Sequence, residues 1–373
     1  MSSLQDLFGK INIPLYQNET LDLDHFYLEP YQDNDVGSDD SYDMSEPYET
    51  NKSKKKRSLS FEPTHISHFM YFMDGSRRTY KIGDIVLENK KIYPVVVAQV
   101  RAGCVQRSTN GKIHCQYIEK GNLLLISSVI NNEDFSDLRT RIRKSPLARE
   151  LSLDVITYRY DRMKDLAPTN AAIAKANSVM HDMEIKILER MVKSGLLSTG
   201  QMLIVDGPIQ FVAQDRHDRN FSDLFYNVIG VSKSFDPMLP MSEKTRGSAQ
   251  VGSQLLKLEY GERTPVFLNN RNNQHRRYGC WYLRIRPKSH VLSPLDGIIK
   301  IEKLATDDDY ENGLDSDVVD NLSRSLLEEC APTCHGSDDR WANHLYPVFL
   351  AETMVKATFL GDLSFMSQFK RNF

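Results

Sequence analysis

Between residues 65 and 130 the apolar positions fall in three runs separated by polar, turn-forming residues. His68 to Met73 (HFMYFM) is aromatic-rich, while Tyr93 to Val100 (YPVVVAQV) and Asn122 to Ile130 (NLLLISSVI) are dominated by Val, Ile and Leu. Such runs predict strands. The Asp74-Gly75-Ser76, Asn110-Gly111-Lys112 and Gly121-Asn122-Leu123 pieces carry turn chemistry. Three strands joined by short connections predict an antiparallel meander. The period then lengthens. A helix is predicted from about Thr169 to Ser194, with Thr169 or Asn170 as its cap after Pro168 and Gly195 as its stop. Met202 to Val205 (MLIV) is a short buried-strand pattern, followed by strands at Val228 to Val231 and at Trp281 to Ile285 (WYLRI). Helices at Asp317 to Glu329 and His344 to Thr358 close the chain. Strands, a helix and further strands together predict an α/β fold on a mixed sheet.

Residues 32 to 57 break the pattern. They are acidic, then basic, with almost no aliphatic side chain, as in a linker or mobile loop. The organisation expected is an N-terminal arm and polar linker over 1–60, partly flexible, and one domain over 61–373. The KSKKKR run from Lys52 to Arg57 reads as a solvated tail, although such a run can also touch phosphates.

Two predicted strands run into an Asp-Gly. Asp74 follows HFMYFM and Asp206 follows MLIV, each without another charge in the run. A single Asp-Gly is ordinarily a turn. Two of them, each after an uncharged strand, place carboxylates at a sheet edge where ligands bind. A third carboxylate comes from helical phase at about 100° per residue. Met180, Met183, Ile187, Leu188 and Met191 then share a face, and Glu184 falls in its middle. Glu189 falls nearly opposite, beside Lys186 and Lys193. An ionised carboxylate on an apolar face needs a partner, either a cation or a buried arginine. Asp74, Glu184 and Asp206 offer the oxygen donors that Mg²⁺ or Mn²⁺ prefers. Two such ions about 3.5–4 Å apart suit phosphodiester hydrolysis. Lys233, just beyond the strand at 228–231, has the charge to neutralise a phosphate, or else is a solvated loop lysine.

Composition changes this picture little. The 373 residues are 40% hydrophobic and 26% charged, with a formal net charge of -3, so any surface for nucleic acid must be local. No apolar run reaches the length of a membrane span, and the N-terminus lacks a signal-peptide layout. The 5 cysteines are scattered, as expected of reduced thiols in a cytoplasmic protein. Cys330-Ala-Pro-Thr-Cys334-His335 has half the spacing of a zinc site, but without a second pair it reads as a loop with two free thiols. No P-loop motif is present, so the chain is not an ATP-driven motor by itself.

Taken in order, FMDGSRR at 72–78, the helix around Glu184, LIVDGPI at 203–209, GVSKS at 230–234, WYLRI at 281–285 and LYPVFLAE at 345–352 resemble the NurA family of DNA-repair nucleases. The resemblance implies an RNase H-like mixed sheet flanked by helices, with insertions. It also implies a Mn²⁺- or Mg²⁺-dependent deoxyribonuclease on single- and double-stranded DNA, a homodimer, and a HerA-type hexameric ATPase partner. Metal-ligand roles fall to Asp74, Glu184 and Asp206, and a phosphate-side role to Lys233. The sequence departs from the family after Tyr346-Pro347, where the family's His position falls near Met354. Glu352 and His344 remain as candidates for a fourth ligand, and Glu352 also fits an ordinary helix.

Basic residues near these motifs point to a DNA-binding cleft: Arg77 and Arg78, then Lys244 and Arg246, then Arg276 and Arg277. The last two belong to the stretch from Arg271 to Arg286, which holds five arginines with His275, Tyr278 and Trp281. Arginine interleaved with aromatics suits phosphate contacts and base stacking; a basic hairpin on a solvated face has the same composition. The leading expectation is a nuclease in DNA end processing or anti-phage defence. The alternatives are a non-catalytic, DNA-binding scaffold subunit of such an ATPase complex and an RNA nuclease.

Overall fold

A computed structural model of the chain describes residues 3–24, 42–43, 46–60, 67–87, 90–162, 167–209, 224–239, 241, 250–269, 277–334 and 341–372. Its strands are β1 (Leu15–Asp22), β2 (Tyr42–Asp43), β3 (Arg57–Ser58), β4 (Phe69–Val86), β5 (Ile92–Arg107), β6 (Ile113–Ser127), β7 (Leu153–Tyr158), β8 (Met202–Asp206), β9 (Val228–Ser232), β10 (Glu262–Arg263), β11 (Phe267–Asn269), β12 (Tyr278–Arg284) and β13 (Ile298–Leu304). Its helices are α1 (Leu4–Gly9), α2 (Asn132–Arg143), α3 (Pro146–Leu151), α4 (Pro168–Lys193), α5 (Val251–Leu255), α6 (Asp309–Asn312), α7 (Ser316–Glu328), α8 (Tyr346–Lys356) and α9 (Asp362–Arg371). No described helix is long and apolar enough to cross a membrane.

The strands form one mixed sheet in the order β2-β11-β12-β13-β9-β8-β4-β5-β6-β7, with β1 beside β4 and β10 between β12 and β3. The expected meander is β4-β5-β6, antiparallel throughout. β8 then runs parallel to β4, and β9 parallel to β8. Helices cover both faces. Alternation along β4 and β5 sends Tyr71, Met73, Val96 and Ala98 to the core under α4. The opposite face of the sheet packs Phe72, Ile204, Val231 and Trp281 against α7 and α8. Farther along the same face, Tyr80, Val95 and Val97 pack against α1–α3 and α9.

Several sequence expectations need correction. Asp74-Gly75-Ser76 is not a turn: β4 runs on to Val86, because β5 pairs with it from Tyr71↔Gln106 to Val86↔Ile92. Gly121-Asn122-Leu123 likewise lies inside β6. α4 starts at Pro168, with no side-chain cap from Thr169 or Asn170; proline's fixed φ and missing donor suit that first position.

The polar N-terminal segment also differs from a free linker. Residues 46–60 are tied to the body. Glu49 is completely buried and its Oε2 accepts from Arg263 Nη2 at 2.8 Å. Arg263 Nε also donates to Asp320 Oδ1 at 2.6 Å, and Arg57 Nη2 to Asp320 Oδ2 at 2.5 Å. α1 and β1 belong to the domain as well, with β1 pairing on β4. Within the basic run, Lys56 pairs with Glu262 at 2.5 Å. A buried ion pair that loses one member strands the other charge in a medium that solvates it poorly. Glu49→Ala is therefore expected to destabilise the protein by about 3 kcal/mol in urea unfolding. A solvated arm would give no measurable change.

Candidate active site

The site forms where β4 changes neighbours. β8 accompanies β4 only as far as Met73↔Val205. β1 takes the same side of β4 from Asp22↔Tyr80 onward. Between them, among the described residues, the edge of β4 from Asp74 to Arg78 has no ladder partner on that side. Asp74 lies mid-strand, at the point where β8 stops, while Asp206 is the last residue of β8. Gly207, at φ 98, turns the chain away, a conformation that favours glycine. The turn is held from below, since Ile209 N donates to Glu302 Oε2 at 3.2 Å and Glu302 pairs with Lys300 at 2.8 Å. Gly230 on β9 lets it pass: a Cβ there would stand 2.7 Å from the Gly207 carbonyl oxygen.

By strand alternation Asp74 shares the face of Phe72, and Asp206 that of Ile204, the face covered by α8. Lys233, just past β9, and Glu352 on α8 meet them there. The Lys233 ammonium is 2.8 Å from Asp206 Oδ2 and 4.0 Å from Glu352 Oε2. His344, buried, places Nδ1 3.5 Å from the same ammonium. The neighbouring Asn343 Nδ2 donates to the Lys233 carbonyl at 2.7 Å. Glu352 also pairs with Lys356 at 2.5 Å.

Glu184 approaches from the other side of the sheet. It is buried on α4, as its helical phase indicates, and among the described residues no arginine pairs with it. His181 Nδ1 lies 2.9 Å from its Oε2. It lies directly over Gly75, where an added Cβ would stand 2.6 Å from Glu184 Oε1 and 2.9 Å from Met180 Sδ. Glycine at 75 is what lets the helix carboxylate reach the strand that carries Asp74.

The electrostatics follow from this crowding. Burial pushes the Asp74 carboxyl well above the ordinary carboxylate range, and the charges of Asp206, Glu352 and Glu184 push the same way while Lys233 opposes them. Burial works against the Lys233 ammonium, but Asp206 and Asp74 outweigh it and its pKa is raised. Burial raises the Glu352 carboxyl too, yet Lys356, Lys233 and His344 prevail and hold it below its usual value.

Of the four carboxylates named from the sequence, Asp74, Asp206 and Glu352 therefore lie near Lys233, while Glu184 reaches β4 from the opposite face. Both fourth-ligand candidates, Glu352 and His344, stand beside that lysine, whereas Met354 packs against the apolar core. Among the described residues, no three His, Cys, Asp or Glu side chains are gathered closely enough to hold one metal ion as they stand. The donor set nevertheless suits a hard divalent cation: four carboxylates on rigid elements, one of them, Asp74, kept from ionising first by burial and then by its acidic neighbours.

The basic residues are less available. Arg77 pairs with Asp24 and donates from Nε to Asn177 Oδ1 at 2.6 Å. Arg78 pairs with Asp362 at 2.6 Å and lies over the Phe359 ring at 4.8 Å. Arg277 lies 3.9 Å from the Tyr310 ring centroid and donates to the Tyr310 carbonyl. Trp281 and Arg284 are completely buried, with Trp281 Nε1 donating to Ser323 Oγ, so neither belongs to an open stacking face. Lys244, Arg246 and Arg276 lie outside the described residues, as does His335. Cys330 and Cys334 are buried free thiols. The sequence reading missed His181, Asn343 and Glu302. Only His181 left a local signal, three residues before Glu184 on one helix face.

No protein-family model matches this chain, and no curated protein sequence matches it.

Two outcomes are expected. A carboxyl whose folded pKa is raised binds more protons folded than unfolded, so stability falls as pH rises from its unfolded value to its folded one. Asp74→Asn removes the penalty that builds up as pH rises above the unfolded value. In EDTA at pH 7.5 it should gain about 1 kcal/mol, or about 2 °C in Tm by calorimetry. Gly75→Ala meets flexible side-chain ends, so it should displace Glu184 rather than unfold the sheet. We expect a loss of about 1 kcal/mol in urea and Mn²⁺ binding weakened about tenfold by titration.

Proposed function

We propose that this chain is a Mn²⁺- or Mg²⁺-dependent deoxyribonuclease with an RNase H-like core. It hydrolyses phosphodiester bonds of single- and double-stranded DNA, as a homodimer beside a HerA-type hexameric ATPase, in end processing or anti-phage defence. One observation carries the reading: Asp74, Asp206 and Glu352 surround the buried Lys233 at a break in the sheet, with Glu184 reaching the same point through Gly75. A structural ion pair needs one carboxylate per ammonium, and here Lys233 has three acidic neighbours, of which only Glu352 has a second lysine, Lys356. The surrounding sheet agrees with it, being an antiparallel meander extended by two strands parallel to its first, with helices on both faces.

In this reading Asp74, Asp206, Glu184 and Glu352 hold the cation. A divalent ion supplies Lewis acidity and neutralises charge on the phosphate. Lys233 faces a non-bridging phosphate oxygen and stabilises the charge that develops there. His181 and Asn343 fix the orientation of Glu184 and Lys233.

The second reading, a non-catalytic DNA-binding subunit of the ATPase complex, draws on the carboxylates not being gathered at one point. Incubation with end-labelled DNA and Mn²⁺, Mg²⁺ or EDTA separates the two. We expect metal-dependent cleavage that falls at least about a hundredfold in Asp74→Ala and in Asp206→Ala. Folded wild type that leaves DNA intact with either metal, even with a cognate ATPase added, would establish the scaffold instead.

A further inference from the structure

The inference drawn here rests on the reading of the site as a divalent-cation centre, and concerns what Lys233 does there. Its main chain is fixed. Asn343 Nδ2 holds the Lys233 carbonyl at 2.7 Å, and Asn343 Oδ1 in turn accepts from Gly297 N at 2.6 Å. Its ammonium is not fixed in the same way: the stem is flexible, and the polar groups around the ammonium stand at graded distances. Asp206 Oδ2 is at 2.8 Å, His344 Nδ1 at 3.5 Å and Glu352 Oε2 at 4.0 Å. The side chain is buried, and the carboxylates of Asp206, Asp74 and Glu352 offset the cost of burying this positive charge.

We propose that Lys233 is the resident counter-cation of the metal-free site, and that a divalent ion and the Lys233 ammonium compete for Asp206. Three features converge on this. Asp206 is the carboxylate that Lys233 binds directly, and it stands at the end of β8 with its side chain 20% exposed. The lysine is the cation around which Asp74, Asp206 and Glu352 are arranged. A dication among the same carboxylates repels the ammonium strongly at such distances in a poorly solvated site. With such an ion bound, Asp206 would be shared with it, and the Lys233 ammonium would lose its nearest carboxylate and become available to a phosphate oxygen. The metal-free protein keeps its site intact because the lysine stands in.

The test uses the full-length protein, Mn²⁺ alone and no DNA. Calorimetric titration should show Mn²⁺ binding Lys233→Met about tenfold more tightly than wild type, because the internal competitor is gone. In EDTA the variant should melt below wild type, and Mn²⁺ should narrow that gap. Wild type gives a second readout, independent of whether the variant folds. Lysine acetylation followed by mass spectrometry should show Lys233 protected in EDTA and modified severalfold faster in Mn²⁺, with Lys288 as the internal reference. Wild type that binds Mn²⁺ without exposing Lys233, or a variant that binds it no more tightly, overturns the competition alone. Wild type that binds no Mn²⁺ overturns the cation-centre reading as well.

Discussion

Buried negative charge in excess of buried positive charge is the constraint on which this site is built. Asp74, Asp206 and Glu352 lie near one ammonium on the face that α8 covers, and Glu184 approaches β4 from the α4 face. Desolvated carboxylates at close range cannot all ionise cheaply without added positive charge. Lys233 meets part of that need, and Lys356 more of it at the rim through Glu352. The remainder appears at Asp74, whose carboxyl is driven well above the ordinary range by burial and by its acidic neighbours. A fold that only needed stability would replace these groups with apolar ones of similar size. That this one keeps them is the physical case for a cation.

The sheet makes the crowding possible. β4 is paired with β5 along nearly its whole length and is therefore rigid, yet on its other side it has β8 first and β1 later. The interval between those two partners is where Asp74 and Gly75 lie. One residue sends its carboxylate to the α8 face; the next, having no side chain, lets Glu184 approach from the α4 face. Glu302 and Gly230 perform a related task one strand over, holding and admitting the turn that follows Asp206. The four carboxylates thus come from a strand interior, a strand end and two helices on opposite faces.

Much of this was legible in the sequence, for reasons that differ by residue. Glu184 was visible because helical phase alone puts it among Met180, Met183, Ile187 and Leu188, and no distant contact changes that. Asp206 was visible because β8 does end there. Asp74 was picked out on the premise that its strand ends, whereas β4 continues through Ser76, Arg77 and Arg78 to Val86. Continuation is decided by cross-strand pairing with β5, which local composition does not record. The anchoring of residues 46–60 was hidden for a similar reason. It depends on Glu49 finding Arg263, 214 residues away, and a polar segment with one well-placed buried charge looks like any other polar segment. The arginines near Trp281 misled in the opposite sense, because a basic aromatic stretch can equally well be a buried strand whose guanidinium groups bind carbonyls, as Arg284 does with Leu258 and Pro294.

Arg263 and Lys233, two of the buried cations among the described residues, show how an ion pair held by a fork of donors differs from one held by a single ammonium. Arg263 spreads several donors over Glu49 Oε1 and Oε2, Asp320 Oδ1 and two carbonyl oxygens, so that no single partner can leave without stranding a fork of hydrogen bonds. That arrangement joins the N-terminal segment to α7 and has no reason to open. Lys233 has one close carboxylate, a second at 4.0 Å, and a flexible stem on a fixed backbone. An ammonium held in that way can be exchanged for another cation without disturbing the sheet beneath it, since the Lys233 main chain stays bound to Asn343 whatever the side chain does. The choice of lysine at the site and arginine at the structural junction follows the same chemistry: a point charge where partners must change, and a planar fork where they must not.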